Sequence, residues 1–185
     1  MRKLRTIEMH RMSVEDFRES EKLPLTVVLD DVRSMYNIGS VFRTSDAFRV
    51  EEVLLCGITA TPPHPEIHKT ALGGEDSVSW KYFPTAFEAV SYLHDKGRLV
   101  YAIEQCEGST MLNDINTLTV FSGEKMPSGC AVIFGNEVKG VHQEVIDRCD
   151  GCIEIPQYGT KHSLNVSVTA GIVIWEFARR MKSLF

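Results

Sequence analysis

Short apolar runs rich in β-branched residues recur along the chain. They fall at Leu25-Thr-Val-Val-Leu-Asp30, Val53-Leu-Leu-Cys56, Val78 to Phe83, Leu99-Val-Tyr-Ala-Ile103, Ala131-Val-Ile-Phe134 and Cys152-Ile-Glu-Ile155. Unbroken runs of this length suit strands buried on both faces. Helical patterns sit between several of them, at 38–48, 85–96 and 142–149, the last after a turn at Gly140. Strands and helices alternating at this spacing predict an α/β fold, a mostly parallel sheet of about six strands flanked by helices. The stretch 104–129, with Gly108, Pro127 and Gly129, reads as loop with one helical turn.

The clearest helical pattern is the last, Asn165 to Met181. Val166, Ala170, Val173, Ile174, Phe177 and Met181 form one stripe, while Val168, Ile172 and Trp175 lie off it. That arc is too wide for a helix packed on one side only. In a chain this small a second covered face predicts a homodimer through the helix at 165–181. At the other end, Ser13-Val-Glu-Asp16 resembles a capping box opening a brief helix, and Pro24 separates it from the first strand. The organisation expected is a basic N-terminal arm with a short helix, 1–22, and one domain, 23–185.

The 185 residues suffice for one hydrophobic core. No run of eighteen apolar residues occurs, so no membrane-spanning helix is expected, and no secretory signal is recognisable. Cys56, Cys106, Cys130, Cys149 and Cys152 are odd in number and scattered, which points to reduced thiols and a cytoplasmic setting. Cys149-Asp-Gly-Cys152 has CxxC spacing, but no second pair follows, and buried thiols are the favoured reading. The net charge is −5, yet Arg2, Lys3, Arg5 and Arg11 cluster in the arm, Arg33, Arg43 and Arg49 in a second stretch, and Arg179, Arg180 and Lys182 in a third. Solvated arginines would look the same, so charge alone leaves nucleic-acid binding open.

In open parallel sheets, ligands bind beyond the carboxyl ends of the strands. Polar or glycine-rich segments follow three of the predicted strands: Asp30 to Arg43, Phe134-Gly-Asn-Glu-Val-Lys-Gly140, and Ile155-Pro-Gln-Tyr-Gly-Thr-Lys-His-Ser-Leu-Asn165. In the first, Asn37 is expected as the N-cap of the following helix. Each segment alone reads equally as a plain connection; three at one sheet edge make a candidate site. Neither a P-loop nor a dinucleotide fingerprint is present. His64, His68, His142 and His162 fit no metal pattern, and no GxSxG elbow supports a serine hydrolase, so no metal is expected.

Together the three segments resemble the SpoU (TrmH) branch of the SPOUT RNA methyltransferases. That family's first motif is an asparagine followed six residues later by an arginine, matched by Asn37 and Arg43. Its second is an apolar strand entering Gly-Asn/Pro-Glu-x-x-Gly, matched by Ile133 to Gly140. Its third is Ile-Pro, a short loop, then Ser-Leu-Asn-Val-Ser, matched by Ile155, Pro156 and Ser163 to Ser167. The resemblance spans roughly residues 24–181. It implies a C-terminal deep trefoil knot, an exception to unknotted topology, and a homodimer.

It further implies S-adenosylmethionine held by loops at 103–108, 134–140 and 155–164, with cofactor contacts from Glu104, Phe134, Gly135, Asn136, Glu137, Gly140, Ile155, Pro156, Gln157, Ser163 and Leu164. The implied reaction is methylation of a ribose 2′-hydroxyl in RNA, tRNA being favoured over rRNA. A catalytic site of Arg43, Asn37, Glu137, Ser163 and Asn165 is implied with it. A guanidinium is a poor base, so Arg43 is better suited to orienting a phosphate and stabilising charge on the oxygen. RNA contacts are expected from Arg2, Lys3, Arg5, Arg11, Arg33 and Arg43. The alternative is a non-catalytic RNA-binding module on the same fold.

Overall fold

The computed structural model describes residues 1–122 and 129–181. Seven strands form one sheet: β1 (Leu23–Asp30), β2 (Val50–Cys56), β3 (Ser79–Phe83), β4 (Leu99–Ile103), β5 (Thr110–Met111), β6 (Cys130–Phe134) and β7 (Gly151–Glu154). Their order is β3-β2-β1-β6-β4-β7-β5, and every neighbouring pair is parallel. The strand beyond the six expected is β5, which lies inside the stretch read as loop. Two residues are too few to leave a hydrophobic pattern; only pairing with Ile153 and Glu154 makes them a strand. A 3-10 turn, Leu112–Thr117, and α6 (Thr119–Ser122) follow it. The rest of that stretch, up to residue 128, lies outside the described residues.

All five residues of β6 are buried, and so are all but one of β1. These central strands are covered on both faces, which is why they read as unbroken apolar runs. Val27 and Leu29 join a core with Ile38, Val41 and Phe42 of α2 (Met35–Ala47), Ile67 of α3 (Pro65–Ala71), and Val173, Ile174 and Phe177 of α8 (Val166–Arg180). Val28 faces the other way, onto Ala89, Val90 and Leu93 of α5 (Ala86–Asp95) and Val145 of α7 (Gln143–Ile146).

Helix α2 begins three residues before the expected position, and its N-cap is Ser34, not Asn37. The Ser34 hydroxyl accepts the Asn37 N–H at 3.3 Å, so Asn37 stands in the first turn with its amide free for other partners. The apolar period starts only at Ile38, which hid this polar first turn. Two helices beside α2 were not expected: α3 and the four-residue α4 (Gly74–Ser77). Both are too short to show a period. A side chain at Gly39 would stand 2.2 Å from the Ile67 carbonyl oxygen, so glycine lets the α3 backbone lie directly on α2.

The N-terminal segment is partly tied down. Ser13 caps α1 (Val14–Glu19) by accepting the Asp16 N–H, and Phe17 is buried in the same core as α2. At the other end α8 has two apolar faces. Val166, Ala170, Val173, Ile174, Phe177 and Ala178 are buried, whereas Val168 is 52%, Ile172 38% and Trp175 55% exposed. Among the described residues, no helix is long and apolar enough to cross a membrane.

Candidate active site

The loops after β1, β4, β6 and β7 meet at one edge of the sheet, at the carboxyl ends of parallel strands. Their meeting is held by Glu137. Its carboxylate accepts the backbone N–H groups of Arg33 and Ser34, each at 3.0 Å, and the Asn37 side-chain amide at 3.1 Å. Ser34 is the N-cap of α2, so the carboxylate also sits where the helix dipole favours negative charge. Burial alone would push the Glu137 carboxyl up; the N–H groups of Arg33, of Glu137 itself and of Ser34, with the Asn37 amide, hold it below the ordinary value.

Asn37 continues the chain of bonds. Its side-chain oxygen accepts the Asn165 amide at 3.1 Å, and the Asn165 oxygen caps α8 by accepting the N–H groups of Ser167 and Val168 at 2.9 and 3.4 Å. Residues 37, 137 and 165, far apart in sequence, thus form one bridge across three loops.

The 135–141 loop is shaped by its own contacts. Asn136 and Gly140 exchange backbone hydrogen bonds, and the Asn136 side chain donates to the Asp31 carbonyl at 2.8 Å while accepting from Val138 and Lys139. Gly140 has φ +69°, and a side chain there would strike the Glu104 carboxylate at 2.1 Å. Glu104 itself spans the cleft floor, accepting the N–H of Gln105 at 2.9 Å and of Val141 at 3.1 Å. The expectation that Glu104 holds a ligand is thereby qualified: each of its carboxylate oxygens already accepts a backbone N–H.

Between these loops lies a cleft of about 1060 Å³. Of the residues expected at a cofactor, Glu104, Phe134, Gly135, Asn136, Glu137, Gly140, Ile155, Gln157, Ser163 and Leu164 line it; Pro156 does not. Phe134, Ile103, Ile153 and Ile155 give apolar walls, while Glu104, Glu107, Glu137, Asp147 and Glu154 against the single Lys139 make the lining acidic. Asn165 and Ser163 stand at the cleft; Asn37 touches it through Asn165, and Arg43 does not line it. Arg43 is six residues beyond Asn37, about 9 Å further along α2. Arg33, just before that helix, and Tyr36 and Arg43 on it are exposed, with the half-buried Ser40 between the last two, and neither arginine side chain has an ion-pair partner among the described residues. Tyr36, 47% exposed between them, was not anticipated as a site residue; its position next to Asn37 was the available signal.

The other basic residues are not gathered here. Arg2 pairs with Glu8 at 2.8 Å, and Lys3, Arg5 and Arg11 are exposed in the arm. Arg179 and Arg180 both pair with Glu176, and Lys182 lies outside the described residues. One cluster was missed altogether: Asp30, Asp31 and His142, whose ligating atoms lie within 4.8 Å of one another. The His142 ring sits between the carboxylates, 3.2 Å from Asp30 and 3.8 Å from Asp31. Burial raises the Asp30 carboxyl, with the His142 contacts opposing that rise.

A parallel sheet with its polar loops and ligand-sized cleft at the carboxyl edge defines an α/β protein of the nucleotide-cofactor-binding kind. Residues 24–175 match the model of the SpoU rRNA methylase family, and the chain belongs to that family. It is 30% identical over 173 residues to a tRNA (guanosine(18)-2′-O)-methyltransferase of Thermus thermophilus, covering 94% of this chain and 84% of that one. It is 27% identical over 172 residues to the 23S rRNA (guanosine-2′-O-)-methyltransferase RlmB of Neisseria meningitidis, covering 92% of this chain and 65% of the relative. Among solved structures, an AdoMet-bound rRNA methyltransferase from Sinorhizobium meliloti superposes with TM-score 0.76 at 25% identity, over 90% of this chain and 61% of that one. The A. aeolicus TrmH/SpoU tRNA modifying enzyme, at 23% identity, shares the fold with TM-score 0.75 over 90% of this chain and 81% of that one.

Proposed function

We propose that this protein transfers a methyl group from S-adenosylmethionine to a ribose 2′-hydroxyl of RNA. The observation that carries the proposal is the Glu137–Asn37–Asn165 bridge, which joins an acidic cleft to the segment bearing Arg33 just before α2 and Arg43 on it. The cleft suits the cofactor chemically. A ligand carrying a sulfonium and an ammonium is favoured by five carboxylates against one lysine, and the apolar walls suit an adenine ring. Gly135, which has no room for a side chain, brings backbone to the cleft wall. S-adenosylmethionine, when bound, supplies a methyl group activated by the sulfonium.

The chain's residues position the acceptor. Arg33 and Arg43 hold phosphates on either side of Tyr36, whose exposed ring offers a stacking face for a base. Arg43, permanently charged, orients the RNA backbone and stabilises negative charge growing on the 2′-oxygen. Asn37 and Asn165 fix the mouth of the cleft, and Ser163 offers a hydroxyl beside it. Two tasks follow for the protein, holding the oxygen in line with the methyl group and easing loss of its proton to a base or solvent as the C–O bond forms.

Four finer readings go with this. The partner is a second copy of the chain, seated on the apolar face of Val168, Ile172 and Trp175. The C-terminal part is threaded as a trefoil knot, a reading supported by β6 and β7 entering the sheet on either side of β4 and by Gln105 donating to the His162 carbonyl across the cleft. The substrate is tRNA before rRNA, and the protein works in the cytoplasm. Incubating the protein with methyl-labelled S-adenosylmethionine and separately purified, unmodified tRNA and rRNA tests the reaction and the choice of RNA. Label in ribose of tRNA is expected; no label in either RNA would overturn the proposal and leave a binding module.

A further inference from the structure

CxxC spacing paired Cys149 with Cys152 in the sequence, but the fold gives Cys152 a different neighbour. The Cys152 thiol points at the sulfur of Cys106, 2.7 Å away, and Cys149 instead faces the Val145 carbonyl. A disulfide needs about 2.05 Å between sulfurs, so closure by well under an ångström would join them. Cys152 lies on β7, in register with Ala102 of β4, and Glu104 N–H bonds to the Ile153 carbonyl at 3.1 Å. The strand is fixed; Cys106 lies in the turn that follows β4, closed by the Ser109 N–H on the Cys106 carbonyl. That turn is also a wall of the cleft, and Cys106 lines it.

We propose that Cys106 and Cys152 are an oxidation site, joined by a hydroperoxide into a disulfide that deforms the cofactor cleft. In the first step the Cys106 thiolate attacks the peroxide O–O bond. Its sulfur is oxidised to the sulfenic acid, and the departing alkoxide or hydroxide takes a proton. In the second, the Cys152 sulfur displaces water from that sulfenic acid, forming the S–S bond. The sum is two thiols and one hydroperoxide giving one disulfide, one alcohol (or water) and one water. Cys106 is the attacking group because it faces the cleft, and it accepts the Cys152 S–H. Burial pushes the Cys152 thiol up and the Cys106 sulfur raises it further, so Cys152 is not the first nucleophile; it gives its proton to the departing hydroxyl as the S–S bond forms. Zinc is a weaker reading, because no third ligand stands with this pair among the described residues.

The consequence for the cleft follows from what the turn holds. Gln105, next to Cys106, donates to the His162 carbonyl at 2.7 Å and so links the turn to the 155–165 loop. Glu104 clamps the Gln105 and Val141 N–H groups. Drawing Cys106 onto β7 strains these contacts. Losing one or two of them lowers affinity for a cleft ligand by roughly tenfold.

This part of the inference rests on the cleft taking S-adenosylmethionine, so the two are tested apart. The full chain is treated with stoichiometric hydrogen peroxide. Thiols are counted, linked peptides are mapped by mass spectrometry, and S-adenosylmethionine binding is measured by calorimetry before oxidation, after it, and after dithiothreitol. Expected are a Cys106–Cys152 link, roughly tenfold weaker binding, and recovery on reduction. Cys152→Ser should lose the link and the sensitivity, while Cys149→Ser keeps both; melting curves confirm that each variant folds. No link, a Cys149–Cys152 link, or a Cys106–Cys152 link without change in binding would each overturn the proposal. A link in protein that never binds S-adenosylmethionine would leave the oxidation site standing and remove the cofactor reading.

Discussion

Replacing Glu137 with alanine removes one carboxylate that accepts three hydrogen bonds, two from backbone N–H groups and one from Asn37. A charge-assisted bond contributes about 1.5–3 kcal/mol when enclosed. Glu137 is exposed, so solvent screening reduces each bond to about 0.7–1 kcal/mol, or about 2–3 kcal/mol for the three. If the bridge matters chiefly for holding α2 against the cleft, the loss falls on transition-state positioning and lowers kcat/KM by about 30- to 160-fold. The assay is methyl transfer to unmodified tRNA at saturating S-adenosylmethionine, run beside a melting curve. Glu137→Gln keeps one acceptor oxygen but turns an N–H donor toward the others, so its loss should be intermediate. The wild-type carboxyl is held low. Its stabilisation is therefore complete at neutral pH and is lost as pH falls through the lowered folded value. The acid-side fall in melting temperature should accordingly be shallower in Glu137→Gln. A folded Glu137→Ala protein within threefold of wild-type turnover would refute the reasoning.

Arg43→Ala should cost about 100- to 1000-fold in kcat with S-adenosylmethionine affinity unchanged, since Arg43 does not line the cleft; Arg43→Lys should recover only part of this, and wild-type turnover in either would remove Arg43 from the chemistry. Trp175→Glu puts a charge on the exposed apolar face of α8 and should convert a dimer to monomer in light scattering, whereas an unchanged mass would place the interface elsewhere. Gly140→Ala meets both a φ of +69° and the Glu104 carboxylate, so a loss of about 1–3 kcal/mol in urea unfolding is expected, and an unchanged midpoint would mean the loop relaxes freely.

The sheet was legible because β1, β4 and β6 are buried on both faces and leave unbroken apolar runs. What the residues hid were features made by contact. Thr110 and Met111 form a strand only because Ile153 and Glu154 lie beside them, and α3 and α4 are too short to repeat an apolar position. Asn37 looked like an N-cap because Ile38 begins the visible period, yet Ser34 takes that place. At the site, motif spacing put Asn37, Glu137 and Asn165 on the page, but not that they bond to each other or that Glu137 holds the backbone of Arg33 and Ser34. Such bonds join residues about a hundred positions apart, and no local pattern encodes them. The same limit explains two clusters that spacing did not show. Asp30, Asp31 and His142 have no motif, and Cys152 is paired by the β4–β7 register with the segment bearing Cys106 rather than with Cys149.

The net charge of −5, which by itself left a nucleic-acid partner open, gains meaning once the charges are placed. Acidic groups line the cleft, where a cationic cofactor would need them, while Arg43 stands apart on α2 and Arg33 just before it. Two opposed fields this close would cancel if the surfaces carrying them could drift. The Glu137 carboxylate at the start of α2 prevents that by tying the acidic loop to the helix through backbone N–H groups, which cannot rotate away as side chains do. Asn37 extends the tie to the cap of α8. On the proposed reading, the polar bridge sets the spacing between the place for the methyl donor and the place for the phosphate, and that spacing is what an in-line transfer requires.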